Sequence, residues 1–353
     1  MSFATAFVTG STGLLGNNLV RALCDRGVRV RALARSRAKA EKQLAGLSGV
    51  EIVEGDMTRI DTFAPALKGS DVLFHTAAHF RDSYKGGNHW EQLKRTNIEG
   101  TRTLLDAAYL QGIRRVVHTS SIAVLNGPRG ALVDETMLRR VEDADDYYRS
   151  KILAEQEVLR FLREKPDMQA VLVLPGWMHG PGDAGPTSAG QVTLDFVRGK
   201  LPGVAPASFS VVDVRDVART MIAAAEHGRR GERYLAAGRH MTMAEIFEVY
   251  ERISGVKAPT RKLPLAALFV MAGFSELITR TTGRPALLSL ATVRLMVREG
   301  DRTRFNHAKS EAALGLSFRP VDETLSDEIA WYRAGGWLPA TDTRAKGIAA
   351  QAT

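Results

Sequence analysis

The sequence has one cysteine, Cys24, in 353 residues. That excludes an internal disulfide framework and a cysteine-rich zinc site. Set in the apolar pattern Leu19-Val20-Leu23-Cys24, it reads as a small core residue. The chain also lacks a long apolar run. Its longest, Leu263 to Phe274, breaks at Ser275-Glu276 after about twelve residues, where a bilayer-spanning helix needs about 20. No integral membrane segment is therefore expected. Three roles stay open for that stretch and the helical residues after it: a lid, a subunit interface or a contact with a membrane surface. The opening residues Met1-Ser2-Phe3-Ala4-Thr5 lack the basic region of a secretory leader, so a cytoplasmic protein is expected. The net charge is +9, but Arg114-Arg115, Arg139-Arg140 and Arg229-Arg230 are scattered pairs rather than a stripe. A nucleic-acid partner is not expected. A small polyanionic ligand would suit the excess of cations.

The first half of the chain alternates short apolar runs with helical patterns. Strands are expected at Ala4–Thr9, Val28–Ala34, Val50–Glu54, Asp71–Phe74, Arg114–Thr119 and Gln169–Leu174. Helices are expected at Leu14–Arg26, from about Arg37 to Leu47, from Trp90 to Gln111 and from Tyr147 to Glu164. Such alternation makes a parallel, doubly wound α/β sheet of the Rossmann type. After Pro175 the pattern changes. Residues 176–186, rich in glycine and proline, read as a loop. Short strands are expected near Phe209–Val212 and Arg233–Leu235, and a mostly helical pattern runs from Pro264 onward. The expected organisation is a dinucleotide-binding domain over residues 1–175, with segments near 205–227 returning to it. A smaller, mostly helical substrate region would cover 176–204 and 228–338, before a flexible tail at 339–353.

Between the first strand and the first helix lies Gly10-Ser11-Thr12-Gly13-Leu14-Leu15-Gly16. Glycine permits a sharp turn and close approach to a pyrophosphate, and the helix N-terminus offers N–H groups and partial positive charge. The spacing is G-x-x-G-x-x-G; its position in a strand–turn–helix context makes it a cofactor signature. The end of the second strand selects the nucleotide. An acidic residue there would hold the ribose hydroxyl of NAD, a basic one the phosphate of NADP. Here stand Arg35, Arg37, Lys39 and Lys42, with no carboxylate before Glu41. NADP is the expected cofactor, and NAD remains possible. Asp56, after the third strand, can accept from an adenine amino group while Met57 packs on the ring, and Ala77-Ala78 leave room for a cofactor against the sheet. Nearby, His75 reads as a core histidine, having no metal-spaced partner; no metal site is expected.

Tyr147 and Lys151 lie four apart, on one helix face. A phenol with pKa near 10 is a poor catalyst at neutral pH unless a fixed ammonium stabilises its phenolate. Thr119-Ser120-Ser121 end the fifth strand, at the sheet edge where doubly wound folds bind ligands. From there Ser121 can bond the reacting oxygen. Asn97, in the long helix before that strand, can hold a backbone or water relay. Thr119 and Pro175, at strand ends, are assigned with Tyr147 and Lys151 to the cofactor site. Candidate substrate-lining segments are His79–Trp90, Trp177–Gln191 and Leu263–Met296, with His79, Ser121, Trp177 and Met178 as named candidates.

These pieces in this order resemble the extended short-chain dehydrogenase/reductase family. The matching motifs are Thr9–Gly16, Gly55-Asp56, Ala77-Ala78, Asn97–Thr101, Thr119-Ser120-Ser121 and Tyr147–Lys151. Further matches are Pro175 with Gly180-Pro181-Gly182, the run Val212–Ala218, and Gly231-Glu232-Arg233-Tyr234. The likeness covers most of the chain, to about Leu338, and looks nearest to the dihydroflavonol-reductase-like and hopanoid-associated "epimerase" branch. The resemblance implies Ser121, Tyr147 and Lys151 as catalytic, Gly10, Gly13 and Gly16 on a pyrophosphate, and Arg35 and Lys42 near a 2′-phosphate. Two positions depart from the sugar-active members. Ser121 is followed by Ile122-Ala123 instead of an Asp-Glu pair, which argues against dehydration. Trp177 stands where nucleotide-sugar epimerases usually have asparagine. The expected function is therefore an NADP(H)-dependent oxidoreductase reducing an apolar or aromatic aldehyde or ketone, with Tyr147 as proton donor. The alternatives are an NAD(P)-dependent nucleotide-sugar epimerase and, from another class, a non-catalytic NADP-binding sensor. Sensors of that kind typically lose the tyrosine or lysine that this chain keeps. Besides a small-molecule substrate, a second copy of the chain is the possible partner.

Overall fold

The first strand, β1 (Thr5–Thr9), is buried along its whole length, as its apolar centre Ala6-Phe7-Val8 requires of a strand covered on both faces. In the computed structural model, residues 3–80, 89–282 and 289–340 are described, with side chains left aside from 276 to 282. After β1 come α1 (Leu14–Asp25), β2 (Arg29–Ala34), α2 (Arg37–Gln43), β3 (Val50–Glu54) and β4 (Val72–His75). Next are α3 (Trp90–Leu93), a π-helical turn (Lys94–Glu99), α4 (Gly100–Leu110), β5 (Arg115–Thr119), α5 (Asp146–Glu164) and β6 (Gln169–Pro175). Then follow β7 (Trp177–His179), α6 (Ser188–Val197), β8 (Ser208–Asp213), α7 (Val214–His227), β9 (Arg233–Ala236) and β10 (Arg239–Thr242). The helices α8 (Met243–Ser254), α9 (Leu265–Thr282), α10 (Leu290–Glu299), α11 (Ala308–Leu314) and α12 (Val321–Ala334) complete the chain.

Seven strands form one sheet in the order β3-β2-β1-β4-β5-β6-β9, every neighbouring pair parallel. This is a Rossmann-type doubly wound α/β fold. The order reverses at β1, between β2 and β4, so a ligand crevice opens beyond the carboxyl ends of β1 and β4. One apolar layer joins β1 to α1 and α7 through Leu19, Leu23, Val217 and Met221. The opposite layer joins the sheet to α4 and α5 through Leu104, Leu105, Val158 and Phe161.

A smaller body holds the three-stranded sheet β10-β8-β7. Phe196, Phe247, Tyr250 and Tyr332 fill its core, from α6, α8 and α12. A buried polar network locks these helices to β7. His179 Nδ1 lies 2.9 Å from a Glu328 oxygen, and that same oxygen accepts from the Thr193 hydroxyl at 3.0 Å. Buried polar groups need such partners.

Three expectations change. The segment expected as a loop contains β7, three residues held parallel to β8 with Trp177 opposite Val211. Arg233–Ala236, assigned to the substrate region, instead adds β9 to the edge of the main sheet, its apolar Tyr234-Leu235 pairing with Val173-Leu174. The helix expected from Trp90 to Gln111 is broken by the π-helical turn around Asn97. Residues 81–88 and 341–353, covering part of one lining segment and most of the expected tail, lie outside the described residues.

Candidate active site

The glycine loop is shaped by close backbone contact. Gly10 has φ +67°, and a Cβ there would stand 2.8 Å from the Ala77 nitrogen. A Cβ on Gly16 would meet the Gly10 carbonyl oxygen at 2.2 Å. Neither position accepts a side chain without displacing backbone. Gly13 turns the loop by donating to the Gly10 carbonyl at 2.9 Å, and Gly13 is the N-cap of α1. The first-turn N–H groups of Leu14, Leu15 and Gly16 then have no carbonyl behind them within the helix, beside the exposed Gly13 and half-buried Thr12. Narrow cradle, open donors and dipole together fit a pyrophosphate.

Arg35, Glu54, Gly55, Asp56, Arg59 and Thr62 line a recess of about 250 Å³ beyond β2 and β3. Asp56 accepts from the backbone and hydroxyl of Thr58 at 2.8 and 2.7 Å. Burial alone would raise its pKa, but the two Thr58 bonds and the charges of Arg35 and Arg95 hold it below the usual carboxylate range. It is an anionic acceptor, as an adenine amino group requires. Met57 is buried beneath. Lys42 is exposed in the last turn of α2, outside the recess lining, while Arg37 turns to β3 and donates to the Ile52 carbonyl at 3.0 Å. Arg59 is the cation the sequence reading missed. Its nearest signal was position, three residues after Asp56.

Asp145 caps α5 by accepting from the Tyr148 nitrogen at 2.8 Å, so Tyr147 sits in the first turn and Lys151 one turn further on. Ser121 stands near enough to the Tyr147 phenol to lower its pKa, and its hydroxyl accepts from the Ala123 nitrogen at 3.1 Å. Burial, then the Asp145 charge, pushes the phenol pKa up, against the lowering effect of Ser121. Tyr147 is therefore a protonated donor at neutral pH. The ring of Phe80 meets it edge-on, centroids 4.8 Å apart. Tyr148 instead lies beneath the guanidinium groups of Arg139 and Arg298, at 4.9 and 5.5 Å, away from Ser121.

Lys151 is only 3% exposed, and its ammonium donates to the Thr119 carbonyl at 2.7 Å. Burial lowers its pKa to about 8, against the raising influence of Glu155. Glu155, one further turn along α5, accepts from the Ser120 hydroxyl at 2.8 Å and pairs with Arg233 of β9. Neither Glu155 nor Arg233 was singled out for this role from the sequence. Asn97, buried in the π-helical turn, braces the neighbouring chain. Its Oδ1 accepts from the His79 nitrogen at 2.7 Å, and its Nδ2 lies 3.1 Å from the His79 carbonyl and 3.0 Å from the Ser150 hydroxyl.

The remaining candidates divide. Ala77 is half-buried against Gly10 and Ala78 is exposed. Thr119 contributes its carbonyl to Lys151, while its hydroxyl faces the Met221 sulfur at 3.7 Å. Pro175 is buried at the end of β6, opposite Ala236. Trp177 and Met178 alternate across β7. The Trp177 ring stacks on Phe209 at 4.1 Å, whereas Met178 packs toward the main core. His75 is a core residue, its ring nitrogens 2.8 Å from the Thr9 hydroxyl and 3.0 Å from that of Thr101. Burial first, then Lys151, lowers its pKa to about 3, keeping it neutral.

Residues 6–237, spanning the cradle, the Ser121–Tyr147–Lys151 group and β9, match the NAD dependent epimerase/dehydratase family. The chain belongs to that family. It is 33% identical to the sterol demethylase protein B of Methylococcus capsulatus, over 95% of this chain and 100% of that one. It is also 33% identical to the 4-hydroxy-2-methyl-3-oxo-4-farnesyl-3,4-dihydroquinoline-1-oxide ketoreductase of Stigmatella aurantiaca, over 92% and 95% of the two chains. Among solved structures, the crystal structure of gox2253 superposes with a TM-score of 0.81 at 34% identity, covering 95% of this chain and 99% of the other. This member of the extended short-chain dehydrogenase/reductase group is an NAD(P)-dependent oxidoreductase acting on CH–OH or C=O groups.

In this epimerase/dehydratase-family enzyme the charge on Lys151 should set the alkaline limb of activity. The ammonium form is present below its depressed pKa and lost as pH rises through about 8. We expect kcat/KM to fall through that pH, and Glu155→Gln, which removes the supporting negative charge, to move the midpoint lower. A pH–rate profile of both proteins measures this. A profile flat for more than about one unit above the expected midpoint, or unmoved by Glu155→Gln, would contradict the assignment.

Proposed function

We propose that this enzyme reduces an apolar or aromatic aldehyde or ketone to an alcohol with NADPH. The observation that carries the reading is a buried phenol beside Ser121, one helical turn from a buried ammonium that donates to the Thr119 carbonyl. Bound NADPH supplies the hydride to the carbonyl carbon. Ser121 orients the carbonyl oxygen toward Tyr147, and Tyr147 gives that oxygen its proton. The phenolate left behind is stabilised by the positive charge of Lys151. Asn97 fixes the His79 backbone beside Phe80, whose ring touches Tyr147.

Two features favour an apolar substrate. An aromatic ring stands beside the site, Phe80 edge-on to Tyr147, and such surfaces bind by burial with few polar anchors. The relatives named above carry a sterol and a farnesylated ketone in their names. For the cofactor, Arg35 and Arg59 bring two cations to the recess beyond β2; arginine's fork suits a phosphate.

Tyr147→Phe is expected to lower kcat by about 100- to 10,000-fold, the usual worth of a positioned proton donor, while NADPH still binds. The check is a carbonyl panel followed at the NADPH absorbance band beside a panel of nucleotide sugars. Near-normal turnover by the mutant would refute the role of Tyr147. Turnover of nucleotide sugars alone, without net cofactor consumption, would make the enzyme an epimerase. NADPH should also bind better than NADH, and Arg35→Asp should cost NADPH about 1.5–3 kcal/mol, roughly ten- to a hundredfold. Titration of both cofactors against both proteins decides this. Equal affinities in the unmodified enzyme would reduce Arg35 to a solvated surface residue.

A further inference from the structure

The first three turns of helix α9 are apolar around their whole circumference. From Leu265 to Ser275 it holds no charged residue. One side is accounted for: Leu268 and Ala272 are buried against Leu263 and Val293. The rest faces outward, with Phe269 37%, Val270 59% and Phe274 64% exposed, beside Leu265 and Met271. A helix apolar on every side belongs in a core or against lipid, and a contiguous exposed apolar face marks an interaction surface. It does not cross a bilayer: among the described residues no helix is long and apolar enough.

Charge identifies what covers it. From Arg261 to the end of α10 at Glu299 the sequence has six cations (Arg261, Lys262, Arg280, Arg284, Arg294 and Arg298) and two carboxylates, Glu276 and Glu299. That stretch thus supplies +4 of the chain's net +9. Arg261 and Lys262 are exposed immediately before α9, and Arg294 is exposed on α10, which packs beside it. Two copies meeting through this face would bring like charges together, which opposes self-association. An anionic bilayer surface matches both features. The apolar face enters the acyl boundary and the flanking cations meet lipid phosphates.

We propose that the α9–α10 hairpin docks the protein on an anionic membrane surface. The hairpin is tied to the catalytic helix: Arg298 of α10 pairs with Asp145, the N-cap of α5, at 3.0 Å. The inference does not depend on the substrate proposed above. A chain with the same hairpin and another reaction would dock in the same way.

The test is flotation of the full chain with vesicles of phosphatidylcholine alone and of phosphatidylcholine mixed with anionic phosphatidylglycerol. We expect binding to the anionic vesicles that weakens with salt, and roughly tenfold or more loss of binding in the double variant Phe269→Ser with Phe274→Ser. The double variant Arg261→Glu with Lys262→Glu should lose the preference for anionic lipid. Far-UV circular dichroism and a thermal midpoint like the unmodified chain's show that each variant folds; one that fails is replaced by Val270→Ser with Phe274→Ser. Absence of vesicle binding, or binding indifferent to these changes, would overturn the proposal. So would concentration-dependent self-association abolished by the Phe269 and Phe274 changes in a chain that ignores vesicles.

Discussion

The burial of one ammonium group organises the half of this molecule that carries Tyr147 and Lys151. Lys151, 3% exposed, would be destabilising as a bare charge, because transfer of an ion from water to protein interior costs several kcal/mol unless compensated. The compensation comes from three elements. The β5 carbonyl of Thr119 accepts from the ammonium, Glu155 of α5 supplies a nearby negative charge, and Arg233 of β9 and Ser120 hold Glu155 in place. Helix α5 is thereby pinned to the fifth strand and to the seventh strand of the sheet. The same arrangement keeps a cation one helical turn from a phenol that burial has left protonated.

A second constraint is steric. The loop after β1 passes so near the chain after β4 that only glycine fits at Gly10, and the start of α1 lies so near the loop that only glycine fits at Gly16. Those contacts place the open N–H groups of α1 at the reversal point of the sheet. The π-helical turn at Asn97 serves the opposite side of the crevice, aiming an amide at both backbone groups of His79. Cradle, phenol and brace all face one edge because parallel strands end there together.

Much of this was legible in the sequence because it is local. The spacing of Tyr147 and Lys151 is one helical turn, and the glycine loop lies between a strand and a helix that announce themselves by period. What was not legible depends on distant pairing or on side-chain direction. Arg233 meets Glu155 across 78 positions, although the Tyr147-Lys151-Glu155 spacing could have drawn attention to the carboxylate. Arg59 reaches the recess beyond β2 and β3 by way of the turn that precedes Ile60–Thr62, a direction no periodicity reveals. Strand β7 is three residues long in a segment of glycine and proline, and exists because β8 offers it a partner. In α9, for which the sequence leaves a lid, an interface and a membrane contact open, Leu265, Phe269, Met271 and Phe274 face outward and Leu268 is buried. Apolar spacing alone cannot distinguish a lid from a docking face.

The chemistry proposed for this arrangement moves a hydride from cofactor to substrate carbon and a proton from Tyr147 to substrate oxygen. The most direct test is isotopic: NADPH deuterated at the transferable C4 position, a carbonyl substrate from the active panel, and mass spectrometry of the product. The account predicts one cofactor-derived deuterium on the carbinol carbon of each product molecule, with one NADP formed per turnover. Product without cofactor deuterium, or NADPH that emerges unconsumed after many turnovers, would contradict it.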